Sequence, residues 1–246
     1  MNRIDYSKLT QEIIDRHRGD EHPPTLLLHS CCAPCSSYVI EYLSEFFLIT
    51  VFYYNPNIYP EEEYRFRAKQ QQEFIKKFPS KNPVNFIEGD YDTERFYGFA
   101  RPLAHEPERG ERCRRCYYMR LYETARRASD GGFDYFATTL TISPQKDAHT
   151  INTEGYRAAE MIRSVDGIDA SETAGVAETV GASETVGETD SSGVQYLPSD
   201  FKKKNGYLRS VQISREYEMY RQDYCGCVYS QRDRLTSVAG KELALR

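Results

Sequence analysis

Short, continuous apolar runs alternate along the chain with longer stretches in which apolar residues recur every three or four positions. The runs are residues 25–28, "FLITVFYY" at 47–54, "VNFI" at 84–87, "FDYFAT" at 133–138 and "VQYLP" at 194–198. Their length, their β-branched and aromatic content and the Pro, Asn and Gly around them predict strands. A helix from about Cys35 places Val39, Leu43 and Phe46 on one face, and one over 61–78 carries Tyr64, Ala68, Ile75 and Phe78 along a stripe. Further helices are predicted over 7–18, near "TERFYGFA", over 113–128 and from about Lys146 to residue 163. Apolar strands alternating with amphipathic helices predict an α/β protein, a mostly parallel sheet flanked by helices.

One segment breaks this pattern. Residues 165–192 are mainly Gly, Ser, Thr, Ala and acids, and a fragment near "ETVG" recurs with Glu172, Glu178 and Glu184 six residues apart. Three imperfect copies are too few for a solenoid, so the segment reads as a disordered acidic insertion, which costs little in loop-closure entropy. Residues 1–24 read as an N-terminal extension and 25–246 as a single α/β domain that carries the insertion.

The insertion changes the meaning of the net charge. Its seven acids exceed the chain's net charge of -5, so the remainder is basic on balance. That base is clustered in "RFRAK" at 65–69, "RCRRC" at 112–116 and "FKKK" at 201–204, alongside 20 tyrosines. Clustered cations with aromatics suit a nucleic-acid partner, although solvated helix faces produce the same runs. No N-terminal apolar region and no membrane-length apolar run is present, so a cytoplasmic protein with no membrane partner is expected.

The candidate chemistry lies in the cysteines. There are seven, grouped as "CCAPC" at 31–35, "CRRC" at 113–116 and "CGC" at 225–227, and in a reducing compartment close groups point to a metal or redox centre. The first group follows a strand, so Cys31, Cys32 and Cys35 face the ligand crevice of a parallel sheet, and the second starts a helix whose free N–H groups favour thiolate. Spacing alone does not choose zinc or an iron–sulfur cluster, but side chains of adjacent Cys31 and Cys32 diverge, which favours the larger cage. Cys225 and Cys227 read as a redox pair or as two further ligands, with Gly226 allowing the tight turn. His29, His105, Asp90 and Asp92 are further polar candidates near strand ends.

The ordered set "HSCCAPC", "FYYNPNIYPEEEYRFR", "EGDYD", "GERCRRCYYMRL", "TTLTISPQKD", "DFKKKNGY" and "YCGCVYS" resembles the QueH-type epoxyqueuosine reductase family, from about residue 25 to 234. The resemblance implies a three-layer, adenine-nucleotide-hydrolase-like (HUP-like) fold whose cysteine loop replaces a phosphate loop. It implies a 4Fe-4S cluster on Cys31, Cys32, Cys113 and Cys116, and a redox-active disulfide between Cys225 and Cys227. A second mononuclear metal is also implied, with Cys35 and Asp90 as candidate ligands.

The implied reaction removes the epoxide oxygen of epoxyqueuosine at the wobble position of tRNA (the aspartate, asparagine, histidine and tyrosine acceptors), using two electrons from an unidentified donor and two protons. Asp90 and His29 are the candidates for neutralising the departing oxygen. Lys202, Lys203 and Lys204 are candidate phosphate contacts, and Tyr53, Tyr54, Tyr59, Tyr117 and Tyr118 candidate stacking platforms. The rival readings are a PP-loop-like tRNA thiolase, which needs a glycine-rich phosphate loop that "HSCCAPC" lacks, and a zinc-stabilised RNA-binding module.

Overall fold

In the computed structural model, which describes residues 4–168 and 193–244, each predicted apolar run contributes a strand. These are β1 (Thr25–His29), β2 (Leu48–Tyr53), β3 (Asn85–Glu88), β4 (Tyr135–Thr138) and β5 (Gln195–Tyr196). They form one parallel sheet in the order β3-β2-β1-β4-β5, with Leu27 opposite Thr50 on one side and Phe136 on the other. Parallel neighbours need crossovers, and helices supply them.

The expected helices are α1 (Tyr6–Arg16), α2 (Ala33–Leu43), α3 (Glu61–Lys77), α4 (Thr93–Ala100), α5 (Glu111–Asp130) and α6 (Ala148–Ile168). Helix α2 starts two residues before Cys35, with Cys32 as its N-cap and Pro34 in the first turn, where a missing N–H costs nothing. Helix α6 continues past residue 163 into the first residues assigned to the acidic insertion, and 169–192 lie outside the described residues.

Two further helices, α7 (Gly206–Glu216) and α8 (Val228–Ala244), were not predicted. The apolar period of α7 is weak because its buried face consists of Ile213 with Gly206, Ser210 and Ser214, small residues that let it lie close to α2.

Alternate residues of β1 feed two cores. Leu26 and Leu28 pack with Val39, Leu43, Phe74 and Ile213 on the side of α2, α3 and α7, whereas Leu27 packs with Leu121, Ala125, Ile151 and Ala158 on the side of α5 and α6. The result is helix, sheet, helix in three layers. Among the described residues, no helix is long and apolar enough to cross a membrane.

Helix α4 is tied to α5 by Glu123, which accepts from Arg126 at 2.6 Å and Arg95 at 2.9 Å. Burial opposes the charge, but the two guanidinium bonds outweigh it and hold the carboxyl below its ordinary value. A depressed folded pKa adds stability above the unfolded value, and that stability is lost as pH falls through the folded value. Glu123→Gln is therefore expected to cost roughly 1–2 kcal/mol at pH 7, shrinking below about pH 4, as measured by urea unfolding across pH.

Candidate metal and redox centre

The strand order places the start of the cysteine loop at the switch point of the sheet, where connections from β1 and β4 leave in opposite directions and open a crevice. The loop from Ser30 to Cys32 is fixed from several sides. Ser30 and Ser36 donate to Gln71 Oε1 at 2.7 and 2.9 Å, and Asn55 Nδ2 donates to the Ser30 carbonyl at 2.8 Å. Cys31 and Cys32 are buried, and their sulfurs, with that of Cys35 one turn into α2, lie within 4.8 Å of one another.

The Sγ atoms of Cys31 and Cys32 are 3.8 Å apart, so adjacent side chains do converge here. Two thiolates on one tetrahedral ion with metal–sulfur bonds of about 2.3 Å stand about 3.8 Å apart. The expected divergence is absent, and adjacency therefore does not favour the larger cluster over a mononuclear metal.

Cys113 and Cys116 lie in the first two turns of α5. The "CGC" turn is seated on the loop after β2: Tyr59 N donates to the Gly226 carbonyl at 2.9 Å, and Gly226 has φ of 117°, left-handed backbone that favours glycine. Cys113, Cys116, Cys225 and Cys227 thereby line one small cavity, together with Asn57, Glu108, Arg112, Tyr117 and Arg120. Cys113 also packs against the apolar cluster that contains Cys31 and Cys32. The structure thus brings the third group to the second, and Cys113 joins them to the cluster that holds Cys31 and Cys32. All seven cysteines are free thiols.

Burial pushes the Cys32 thiol up to about 12 and the Cys116 thiol up to about 11. Cys31 moves the other way, because the thiols of Cys32 and Cys35 bond to its thiolate form. Cations surround the group. Arg120, 1% exposed, donates to the Cys116 carbonyl and to Asn55 Oδ1, and has no carboxylate partner among the described residues. Arg67, also 1% exposed, pairs through Nε with Glu63 at 2.7 Å, and among the described residues its Nη1 and Nη2 have no hydrogen-bond partner. Burial disfavours the Lys146 ammonium, but Cys225, Tyr117, Cys31 and Cys35 in their anionic forms outweigh it and raise its pKa.

A buried guanidinium without a carboxylate, as at Arg120, is costly unless another anion balances it. Thiolates do so, and buried thiols become thiolates when a soft metal binds. The donor set therefore fits a thiolate-bound metal centre.

Other sequence candidates lie elsewhere or act differently. His29 is fully buried, with Nδ1 2.8 Å from Thr138 Oγ1 and Nε2 3.1 Å from the Tyr54 carbonyl. Burial, aided by Arg120, lowers its pKa to about 3, so it is a neutral brace between β1 and β4 instead of the expected proton source. Asp90 is exposed and does not line the cavity, and His105 is exposed beside Glu106.

Lys202 pairs with Asp200 at 2.8 Å and donates to the carbonyls of Thr141 and Lys146, bracing the turn before α6. Lys203 pairs with Asp5, and Lys204 is exposed. Tyr53, Tyr54 and Tyr117 are buried, Tyr118 lies under the Arg157 guanidinium, and Tyr59 presents an exposed ring. Asn57, Arg67, Arg120 and Lys146 were missed as site residues; the one local signal was Arg120 four positions after Cys116, on the same helix face.

The family model described as epoxyqueuosine reductase QueH matches residues 26–171 and 173–233. The epoxyqueuosine reductase QueH of Streptococcus pyogenes serotype M1 is 41% identical over 230 residues, 93% of this chain and 78% of the relative. That of Staphylococcus epidermidis is 38% identical over 232 residues, 93% and 85% of the two chains. That of Haemophilus influenzae is 38% identical over 209 residues, 85% and 72%.

Proposed function

We propose that this chain, which belongs to the epoxyqueuosine reductase QueH family, uses the cysteine-lined crevice to deoxygenate epoxyqueuosine in tRNA. It is an oxidoreductase of queuosine biosynthesis. The observation that carries the assignment of the chemistry to the crevice is the convergence of Cys113 and Cys116 with Cys225 and Cys227 beside Cys31 and Cys32.

The reaction breaks both epoxide C–O bonds, forms the ring alkene and releases the oxygen as water, consuming two electrons and two protons. Cys31, Cys32, Cys113 and Cys116 would hold a 4Fe-4S cluster, which supplies one-electron transfer that side chains do not. Cys225 and Cys227 are a dithiol that releases two electrons on closing to a disulfide, and an external reductant reopens it. Cys35 is the thiol available to a second metal. The Arg120 and Lys146 charges favour negative charge developing on the epoxide oxygen, and the burial of Arg120 strengthens its effect.

The tRNA is the partner, the cytoplasm the compartment, and exposed Lys204 the best placed of the three lysines for a phosphate contact. Asp90, exposed outside the cavity, has no observation in favour of a catalytic part.

The test is anaerobically reconstituted protein with a reductant and tRNA bearing epoxyqueuosine, followed by mass spectrometry of the nucleosides. Loss of one oxygen atom, giving queuosine, is the expected result. Unchanged epoxyqueuosine with iron and sulfide intact overturns the assignment.

A further inference from the structure

The cysteine cavity contains a side chain that no group among the described residues satisfies. Asn57, in the loop between β2 and α3, is 2% exposed and lines the cavity, yet among the described residues neither its Oδ1 nor its Nδ2 has a hydrogen-bond partner. The loop around it is held firmly: Ile58 N donates to the Asn55 carbonyl at 3.1 Å, Tyr59 N to Gly226 at 2.9 Å, and Tyr91 Oη to the Ile58 carbonyl at 2.6 Å. These loop groups are bonded while the carboxamide stands unpaired. A buried amide without partners is destabilising, and such groups are retained where a ligand completes them.

The two orphaned atoms specify what that ligand offers. Nδ2 needs an acceptor and Oδ1 needs a donor. Thiolates, and sulfides of any metal centre they hold, offer acceptors only, so the centre can meet Nδ2 but not Oδ1. A hydroxyl group offers both. Arg120 Nη2, buried at the same cavity and also without a partner among the described residues, is a donor to a further oxygen.

We propose that Asn57 binds a hydroxyl of the epoxide-bearing cyclopentane ring, so that the carboxamide selects and orients the oxygenated ring against the cysteines. This rests on the epoxyqueuosine reading above and extends it to a specificity-determining residue.

The test compares reconstituted full-length protein with Asn57→Leu and Asn57→Asp, using two probes: tRNA carrying epoxyqueuosine and the same tRNA with guanosine at that position. Asn57→Leu is expected to reduce the binding preference for epoxyqueuosine tRNA by roughly tenfold to hundredfold and to raise KM. Affinity for the guanosine tRNA, iron content and visible absorption are expected to match the parent. Asn57→Asp, which keeps acceptors and loses the donor, is expected to lose preference in the same direction, and it decides the matter if the leucine variant does not retain iron.

A preference unchanged in an iron-loaded variant overturns the proposal and leaves Asn57 as a site for buried water only. Equal weakening for both tRNAs overturns it as well, since that is what a merely structural residue produces. If the parent itself does not reduce epoxyqueuosine, the activity reading fails and the proposal with it; if the parent is active and the variants keep their preference, the proposal alone fails.

Discussion

Cys116→Ser is expected to strip the centre of iron and abolish epoxide reduction, whereas Cys225→Ser should keep its iron and still lose turnover. Cys116 is 6% exposed in the second turn of α5, and its thiol is pushed up to about 11 by burial. Binding a soft metal repays that deprotonation through a strong metal–sulfur bond, which a serine oxygen, harder and far less acidic, does not offer. Residues that act as a unit lose most of the rate when one is removed, so activity should fall by roughly a thousandfold or more. Cys225 lies at the rim of the same cavity on a different loop, with its N–H donating to Ser230 Oγ at 2.9 Å. Its removal leaves Cys227 without a disulfide partner and the other thiols in place. Iron and sulfide analysis with nucleoside mass spectrometry separates the two results, and equal loss of iron in both variants would make Cys225 a ligand.

Lys146→Met should lower kcat/KM by roughly a hundredfold to a thousandfold, the range observed when one charge-stabilising group is removed from a reaction centre. The anionic forms of Cys225, Cys31 and Cys35 favour the Lys146 ammonium, and the backbone carbonyl of Lys146 accepts from Lys202 Nζ at 3.4 Å, so the turn before α6 is held in place. Methionine keeps much of the length and apolar stem, so the loss reports charge. Lys146→Arg retains a cation and is expected to recover part of the rate. Steady-state kinetics on iron-loaded proteins provides the comparison, and equal rates for the methionine variant and the parent would remove Lys146 from the reaction.

The helices missed by periodicity show where local pattern stops being informative. In α7 the buried face is built from Gly206, Ser210, Ser214 and a single Ile213, because it lies against α2 too closely for large side chains. A small-residue face carries no hydrophobic period. His29 shows the same limit in chemistry. As a histidine beside a cysteine loop it invites a proton-transfer role, but the pairing of β1 with β4 places Thr138 against its ring, and burial keeps it neutral.

Much was determined by the order of residues alone: the five strand runs, most helices, the three-layer α/β class, the three cysteine groups, and the family to which their order and spacing belong. Those features depend on side-chain period, turn chemistry and motif order, all of which are local. Tertiary structure decided which groups meet. The strand order places the loop after β1 at the switch point, brings α5 beside it, and folds the distant "CGC" turn back onto the loop after β2. It also singled out the Asn57 carboxamide and Arg120 Nη2, which lack partners among the described residues, and a missing partner exists only once the chain has packed around it.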